Sequence, residues 1–314
     1  MDDFLYKVQT RFLFHADIRI KIPAVCTDDQ FDVLFDVLES IDSQYNSYRK
    51  GSYFDLINQH AGTFVMVDDE TVRMLSLVKT LSSLFDGRYA ITVMPLVRLW
   101  GFYRGDMHRT PSEADLARVL PLVDDNQIEI RGNAVRIAKG QEIVTGSFIK
   151  SYAVDRMMEK MREMGITDAI VNAGGSTIVA LNDASHPFWQ VSMDEPGTDM
   201  PLFTLNMANQ AYSTSAQGDN FVEIGGKRYG HILNSQTGHP STNRMVGVIT
   251  ENAMLGDMLS TGLFNETPTG FLMKIRQIQK QHPIEGFLMD EAGQIVQTAG
   301  LDAHKEPACR ERAA

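Results

Sequence analysis

Residues 169–181 read AIVNAGGSTIVAL, and this stretch decides the fold class. Two apolar runs with β-branched residues flank the Gly174-Gly175 pair, which predicts a strand, a glycine turn and a second strand. Strands joined by so short a turn run antiparallel, because a parallel pair needs a crossover of about a dozen residues or more. The stretch therefore favours an antiparallel sheet over a regular parallel α/β sheet.

Further strands and helices are predicted on both sides of this stretch. QIEIRG (127–132) and AVRIAKG (134–140) predict a hairpin through Gly132-Asn133, and residues 12–24 predict one opening strand. Further strands are predicted in 188–196, 201–215, 226–233, 286–290 and 294–300, and helices over 28–45, 69–86, 111–121, 149–165 and 253–264. We therefore expect an α+β layered fold with mostly antiparallel sheets flanked by helices.

Neither repeats nor linkers divide the 314 residues. We expect a single domain over residues 1–300 and a disordered, charged tail over residues 301–314. The first residues are acidic where a secretory signal would be basic, and no run approaches the ~18 apolar residues of a membrane helix. The sequence as it stands predicts a cytoplasmic protein without a membrane span; the alternative is export after removal of a signal segment.

The composition limits the ligands that the chain can bind. The net charge is −11, which argues against nucleic acid or an anionic membrane as a partner, because both need a basic patch. An anionic ligand would have to be held locally by a metal, a few cations or backbone N–H groups. The two cysteines, Cys26 and Cys309, are far apart and predict neither a zinc site nor a disulfide framework.

Asp257 and Thr261 lie four residues apart in the predicted helix 253–264, so their side chains share one face. Carboxylate and hydroxyl oxygens are the ligands that Mg²⁺ and Ca²⁺ prefer. The alternative is an exposed carboxylate and a helix hydroxyl that bonds the carbonyl four residues before it.

A lone histidine, His231, lies on the strand predicted over 226–233, before a turn marked by Gly238 and Pro240. A hard-metal site beside a histidine suggests phosphate chemistry, with the imidazole as a proton acceptor. The alternative is a histidine that is simply packed in a strand.

Five segments carry a further signal when they are read together: DGRYAITVMPLVRLWGF (86–102), IKSYAVDRM (149–157), NAGGSTIVAL (172–181), YSTSAQGDNFVEIGGKRYGHILNSQTGHP (212–240) and AMLGDMLSTGLF (253–264). In this order and spacing they resemble the ApbE family, the FAD:protein FMN transferases, from about residue 42 to 288. The resemblance implies an α+β fold with FAD in a cleft between sheet and helices. It also implies a reaction that moves FMN from FAD onto a Thr or Ser hydroxyl of a target protein and releases AMP.

The resemblance also implies roles for single residues. Asp257 and Thr261 match the family's metal-binding pair, with the backbone carbonyl near Ile149 as a third protein ligand of Mg²⁺. His231 matches its histidine near the scissile phosphate, as general base or as a stabiliser of charge. The positions expected to contact FAD are Tyr48, Asn58, Lys150, Gly174, Gly175, Thr214, Ser215 and Gly218.

Three of these contacts have specific physical reasons and specific alternatives. Tyr48 would stack on the flavin ring, or it is an ordinary turn tyrosine. Gly174 and Gly175 would let the backbone approach the ligand closely, or they only form a tight turn. Lys150 would orient a phosphate or a loop, or it is an exposed helix lysine.

The chain departs from the family pattern at several positions. Asn234 replaces the aspartate of an Asp-Pro pair, and it can neither act as a base nor carry charge. In VTGSFIKS (144–151), Val144 replaces an aspartate, Ile149 an alanine and Ser151 a glycine. Ser176 stands where an acidic or amide side chain is common. The expected function is therefore that of a divergent FAD:protein FMN transferase; the alternatives are an FAD pyrophosphatase that gives FMN and AMP, and a flavin-binding protein without transferase activity.

Overall fold

The computed structural model describes residues 5–102, 109–198, 200–218 and 220–306, and an eight-stranded sheet organises them. Every pair of neighbouring strands in this sheet runs antiparallel. In spatial order the strands are β1 Tyr6–Leu13, β2 Ala16–Pro23, β6 Ala169–Ala173, β7 Thr177–Leu181, β10 Ala211–Ala216, β13 Met245–Thr250, β14 Ile284–Met289 and β15 Ile295–Gln297. The α+β class and the antiparallel sheet expected from the sequence are confirmed.

Three smaller sheets complete the β structure of the described residues. One has the order β3 Val65–Met66, β5 Ala134–Arg136 and β4 Glu129–Arg131, which confirms the hairpin through Gly132-Asn133. The other two are the ribbons β8 Trp189–Asp194 with β9 Pro201–Met207, and β11 Phe221–Ile224 with β12 Lys227–Gly230.

Most of the described α-helices begin where the sequence supplies a capping side chain. Ser112 forms a capping box with Asp115, and the Asp68 and Asn252 side chains accept the N–H groups of Thr71 and Leu255. The helices are α1 Asp28–Tyr45, α2 Tyr53–Gln59, α3 Asp69–Leu84, α4 Met94–Leu99, α5 Glu113–Val119, α6 Ile149–Glu163, α7 Ala253–Leu263 and α8 Pro268–Ile278. Among the described residues, none of the helices has both the length and the apolar character needed to cross a membrane.

The main sheet is covered on both faces, and the alternation along its strands assigns each side chain to a face. On β7, Val179 and Leu181 pack with α1, α6 and α7 in the largest core cluster. Ile178 and Ala180 point the other way and pack against the β8–β9 ribbon with Trp189. All five residues of β7 are therefore buried, as expected for a strand between two layers.

Two expectations about the ends of the chain were wrong. Residues 12–24 do not form one strand, because the chain reverses at Phe14 and His15, whose φ angles of 52° and 59° make the tight turn between β1 and β2. The disordered tail does not begin at residue 301: a 3-10 helix spans Ala299–Ala303, Leu301 is buried, and the Glu306 N–H donates to the Thr204 carbonyl. The rest of that expected tail, 307–314, lies outside the described residues.

Candidate functional site

A buried carboxylate lies where α6, α7, β7 and β10 meet. Asp257 on α7 is 8% exposed, and its carboxylate accepts the Thr177 hydroxyl at 3.0 and 3.1 Å. The side chains of Ser151 on α6 and Ser213 on β10 also interact with it. Burial raises the pKa of Asp257, while the Lys150 ammonium and these three hydroxyls oppose the rise.

Lys150, the second residue of α6, is the cation whose charge acts on this carboxylate. Its ammonium donates to the Ala173 carbonyl at 2.7 Å and to the Ser176 hydroxyl. Burial lowers the pKa of Lys150, and Asp257 opposes that shift. Lys150 is therefore an internal partner of the carboxylate, and not the exposed helix lysine of the alternative interpretation.

The glycine pair between β6 and β7 lies against this charge pair. Gly174 and Gly175 have φ angles of 67° and 73°, a region that L side chains rarely adopt. A Cβ on Gly174 would lie 2.7 Å from the Ala16 Cβ and 3.7 Å from the Lys150 Nζ. The turn thus needs glycine for its conformation at both positions and for close packing at Gly174.

The hydroxyl expected to join Asp257 in a metal site is engaged within its own helix. Thr261 donates to the Asp257 carbonyl at 2.8 Å, which is the alternative contact considered from the sequence. Its Oγ1 also lies 3.4 Å from the Ser215 Oγ on β10, so Ser215 borders the same cluster. Thr214 lies on the adjacent position of β10 and donates to the Val246 carbonyl at 2.9 Å.

The described residues fit a magnesium ion through one carboxylate. Asp257 supplies a buried anionic oxygen pair, and Mg²⁺ typically takes one or two protein carboxylates and fills its shell with water and substrate phosphate. Ile149, the residue of the expected carbonyl ligand, begins α6 and its side chain is buried in the core. In the described part of the chain, His, Cys, Asp and Glu do not gather in groups of three or more that could hold a metal ion, so the expected cation site depends on Asp257 and on hydroxyl and carbonyl oxygens.

His231 lies directly after β12, which ends at Gly230, and not on the strand itself. Its Nδ1 is 3.1 Å from the Asn220 carbonyl, which can only accept, so Nδ1 carries the proton and Nε2 keeps its lone pair. Burial lowers the pKa of His231, which favours the neutral imidazole over the imidazolium ion. The ring can therefore accept a proton at Nε2.

The remaining residues expected to contact FAD are Tyr48, Asn58 and Gly218. Tyr48 is 42% exposed, and its ring meets that of His15 edge-on at 6.0 Å. The Asn58 side chain accepts the Ile143 N–H at 2.7 Å and donates to the Ile143 carbonyl at 2.9 Å. Gly218 follows β10, and a Cβ there would meet no atom within 4 Å. Direct contacts of these residues with a ligand stay predictions.

The departures from the family pattern have local structural roles. The Asn234 side-chain oxygen accepts the N–H groups of Gln236 and Thr237 at 2.9 and 3.2 Å, a turn contact that an aspartate would also make. Val144 packs at the edge of an apolar cluster. Ser151 and Ser176 each place a hydroxyl at the Lys150–Asp257 pair.

Sequence reasoning missed three residues of this cluster. Thr177 and Ser213 lie 80 and 44 positions before Asp257 in the chain, and only the sheet brings them to it. Asp155 on α6 accepts the N–H groups of Ala253 and Met254, both at 2.8 Å. The only available signal for Asp155 was the position of a carboxylate among apolar residues of the predicted helix 149–165.

A second polar region is an open groove with a volume of about 430 Å³. It is formed by the loop from Asn234 to Asn243, the start of α8 and the turn after β14. None of the residues expected to bind the metal or FAD lines it.

Together the fold and the buried cluster define a class of protein: an α+β protein whose antiparallel sheet and two helices surround a buried carboxylate. Comparison with known proteins gives the family. The model of the ApbE family matches residues 14–288, and the chain belongs to that family.

Individual relatives agree with this assignment. An FAD:protein FMN transferase from Vibrio cholerae serotype O1 is 30% identical over 237 residues, which cover 72% of this chain and 70% of that relative. The ApbE protein from Thermotoga maritima superposes with a TM-score of 0.87 at 21% identity, over 96% of this chain and 100% of that one. The flavin transferase ApbE from Vibrio cholerae superposes with a TM-score of 0.82 at 22% identity, over 96% and 99% of the two chains.

Proposed function

We propose that this chain is an FAD:protein FMN transferase that uses Mg²⁺ and modifies a Thr or Ser hydroxyl of a target protein. The observation that carries the proposal is family membership over most of the chain together with a curated transferase relative at 30% identity. The buried Asp257 and the charge of Lys150 support the proposal. Cleavage of a dinucleotide's pyrophosphate develops negative charge, which a cation held by Asp257 and the fixed charge of Lys150 would stabilise.

The reaction needs a proton acceptor and a leaving group. The acceptor hydroxyl oxygen attacks the FMN-side phosphorus of FAD, and the phosphorus–oxygen bond to AMP breaks. The hydroxyl proton passes to Nε2 of His231, whose Nδ1–H is fixed by the Asn220 carbonyl. The products are a phosphoester of FMN on the target protein, and AMP.

The proposed cation site consists of the Asp257 carboxylate, the Thr261 hydroxyl and the Ile149 carbonyl. To bind a cation, Thr261 would have to present a lone pair of its hydroxyl, whose proton now bonds the Asp257 carbonyl. A bound Mg²⁺ would neutralise charge on the pyrophosphate oxygens. Lys150, anchored on Ala173 and Ser176, would hold the glycine turn and offset the Asp257 charge.

The test is an incubation of the purified chain with FAD, Mg²⁺ and candidate target proteins, followed by intact-mass measurement of each target and quantification of AMP. The proposal predicts a target mass increased by one FMN, with AMP released in equal amount, and no adduct after addition of a chelator. AMP released with FMN but without any target would instead indicate a pyrophosphatase. Intact FAD that stays bound with Mg²⁺ present would indicate binding without turnover.

A further inference from the structure

Asp155 joins two helices through a pair of backbone contacts. It lies on α6, and its Oδ1 accepts the Ala253 N–H while its Oδ2 accepts the Met254 N–H, both at 2.8 Å. These two amides are the first two of α7, and they are 98 and 99 positions away in the chain. One carboxylate of α6 therefore caps the start of a different helix.

The cap is unusual because α7 already has a cap of its own. The Asn252 side chain accepts the Leu255 N–H at 3.0 Å, which is an ordinary local N-cap. The Ala253 and Met254 N–H groups would otherwise lack intrahelical partners, and Asp155 satisfies both. The negative charge also lies at the positive end of the α7 dipole.

The two helices joined in this way carry every oxygen expected to bind the cation. Ile149 begins α6, and Asp257 and Thr261 lie on α7. Asp257 is four residues after Ala253, so it lies one turn along the same helix face from the capped amide. A shift or rotation of α7 relative to α6 would therefore move the Asp257 carboxylate away from the α6 terminus.

We propose that Asp155 is a positioning residue that clamps α7 to α6 and so sets the geometry of the cation-binding oxygens. This inference rests on the proposed cation site. Burial raises the pKa of Asp155 to about 6, with the two amides opposing the rise, so the carboxylate is ionised in neutral and alkaline buffer.

The test compares two variants of Asp155 with a matched control. Asp155→Ala removes both acceptors, whereas Asp155→Asn keeps the volume and one acceptor oxygen. Glu159→Ala is the control: Glu159 lies one turn further along α6, borders the same small cavity as Asp155 and pairs with Arg156 within its own helix. Binding of Mn²⁺ to the purified chain is measured by the electron paramagnetic resonance signal of free Mn²⁺, well below the midpoint of thermal unfolding of each variant.

The clamp predicts that Mn²⁺ binds about 10-fold or more weakly to Asp155→Ala, in the range found when partners of metal ligands are removed. The Asn variant should bind with intermediate affinity and Glu159→Ala as tightly as the wild type. Affinity for ADP, measured without metal, should change less than about threefold. Should Asp155→Ala fail to fold, Asp155→Asn carries the test.

The outcomes separate this inference from the proposed function. Wild-type affinity for Mn²⁺ in folded Asp155→Asn and Asp155→Ala would overturn the clamp, even if the wild type transfers FMN. A clear loss of Mn²⁺ affinity in the variants would support the clamp even if no target protein is modified. A wild type that does not bind Mn²⁺ would contradict the cation site and the clamp together.

Discussion

Two polar regions of this protein differ in almost every physical property that matters for binding an anion. The Lys150–Asp257 cluster is internal, its groups are held by Thr177, Ala173 and Ser176, and burial shifts both pKa values toward the neutral forms. The groove beside Asn234 is open, has a volume of about 430 Å³ and carries exposed acids such as Glu291. Volume favours the groove as a ligand site, whereas perturbed titratable groups favour the cluster.

The cluster is the better candidate because burying titratable groups costs free energy. Groups buried in this way cluster at functional sites. Buried charges must be offset by partners, and here an ammonium and three hydroxyls act on one carboxylate. The groove needs no such explanation, since it is formed by polar loops in contact with water. The following substitutions are designed to test this difference.

The largest effect is expected for Asp257→Ala. Loss of the carboxylate removes the main cation ligand, and cation stabilisation supplies several kcal/mol in phosphoryl chemistry, so FMN transfer should fall by at least about 10³-fold. Affinity for FAD, measured by fluorescence without metal, should fall less than about tenfold. Equal turnover in the variant would contradict the role assigned to Asp257.

Lys150→Met should mainly affect stability. It removes the positive charge that acts on Asp257 and two hydrogen bonds to the glycine turn, so the free energy of unfolding should fall by about 3 kcal/mol. Denaturant unfolding measures this change. The control is Lys160→Met on the same helix, since Lys160 pairs with Glu163 at the surface and should contribute less than about 0.5 kcal/mol. Similar losses of unfolding free energy in both variants would contradict the internal role assigned to Lys150.

The glycine pair offers a smaller and more specific comparison. Both positions have positive φ, but only a Cβ on Gly174 would collide, with Ala16 at 2.7 Å. Gly174→Ala should lower the free energy of unfolding by about 2 to 3 kcal/mol, and Gly175→Ala by about 1 kcal/mol. If thermal unfolding ranks the two the other way, the packing of the β1–β2 hairpin on this turn is wrong.

The smallest effect is expected in the groove. Glu291→Gln removes an exposed charge from its wall without changing the buried cluster. The rate of FMN transfer to a target protein should stay within about twofold of that of the wild type, because a surface charge is screened by solvent and salt. A loss comparable to that of Asp257→Ala would move the candidate site to the groove.

Much of the fold could be predicted from local pattern. The glycine turn 174–175, the hairpin at Gly132 and the helices with clear caps all depend on residues close in sequence. The reversal at Phe14 and His15 could not be predicted, because the pair contains none of the Gly, Asn or Asp residues that usually mark a two-residue hairpin turn. The order through Glu306 was missed because it depends on contacts with β9, far away in the chain.

The side chains around Asp257 could be located from the sequence only in part, and for a different kind of reason. The position of Asp257 on one helix face followed from spacing, and family resemblance pointed to Lys150 and the glycines. The partners of these residues are distant: Thr177 is 80 positions from Asp257, and Asp155 is 98 from the amide that it caps. Only the sheet order, which no single segment encodes, brings them together.

The most direct test of the central claim is a crystal structure of the chain soaked with Mn²⁺ and ADP, analysed for anomalous scattering from manganese. We expect one strong peak within bonding distance of the Asp257 carboxylate, with the ADP phosphates beside it. A peak in the groove near Glu291 with none at Asp257, or ADP bound away from Lys150, would contradict that claim.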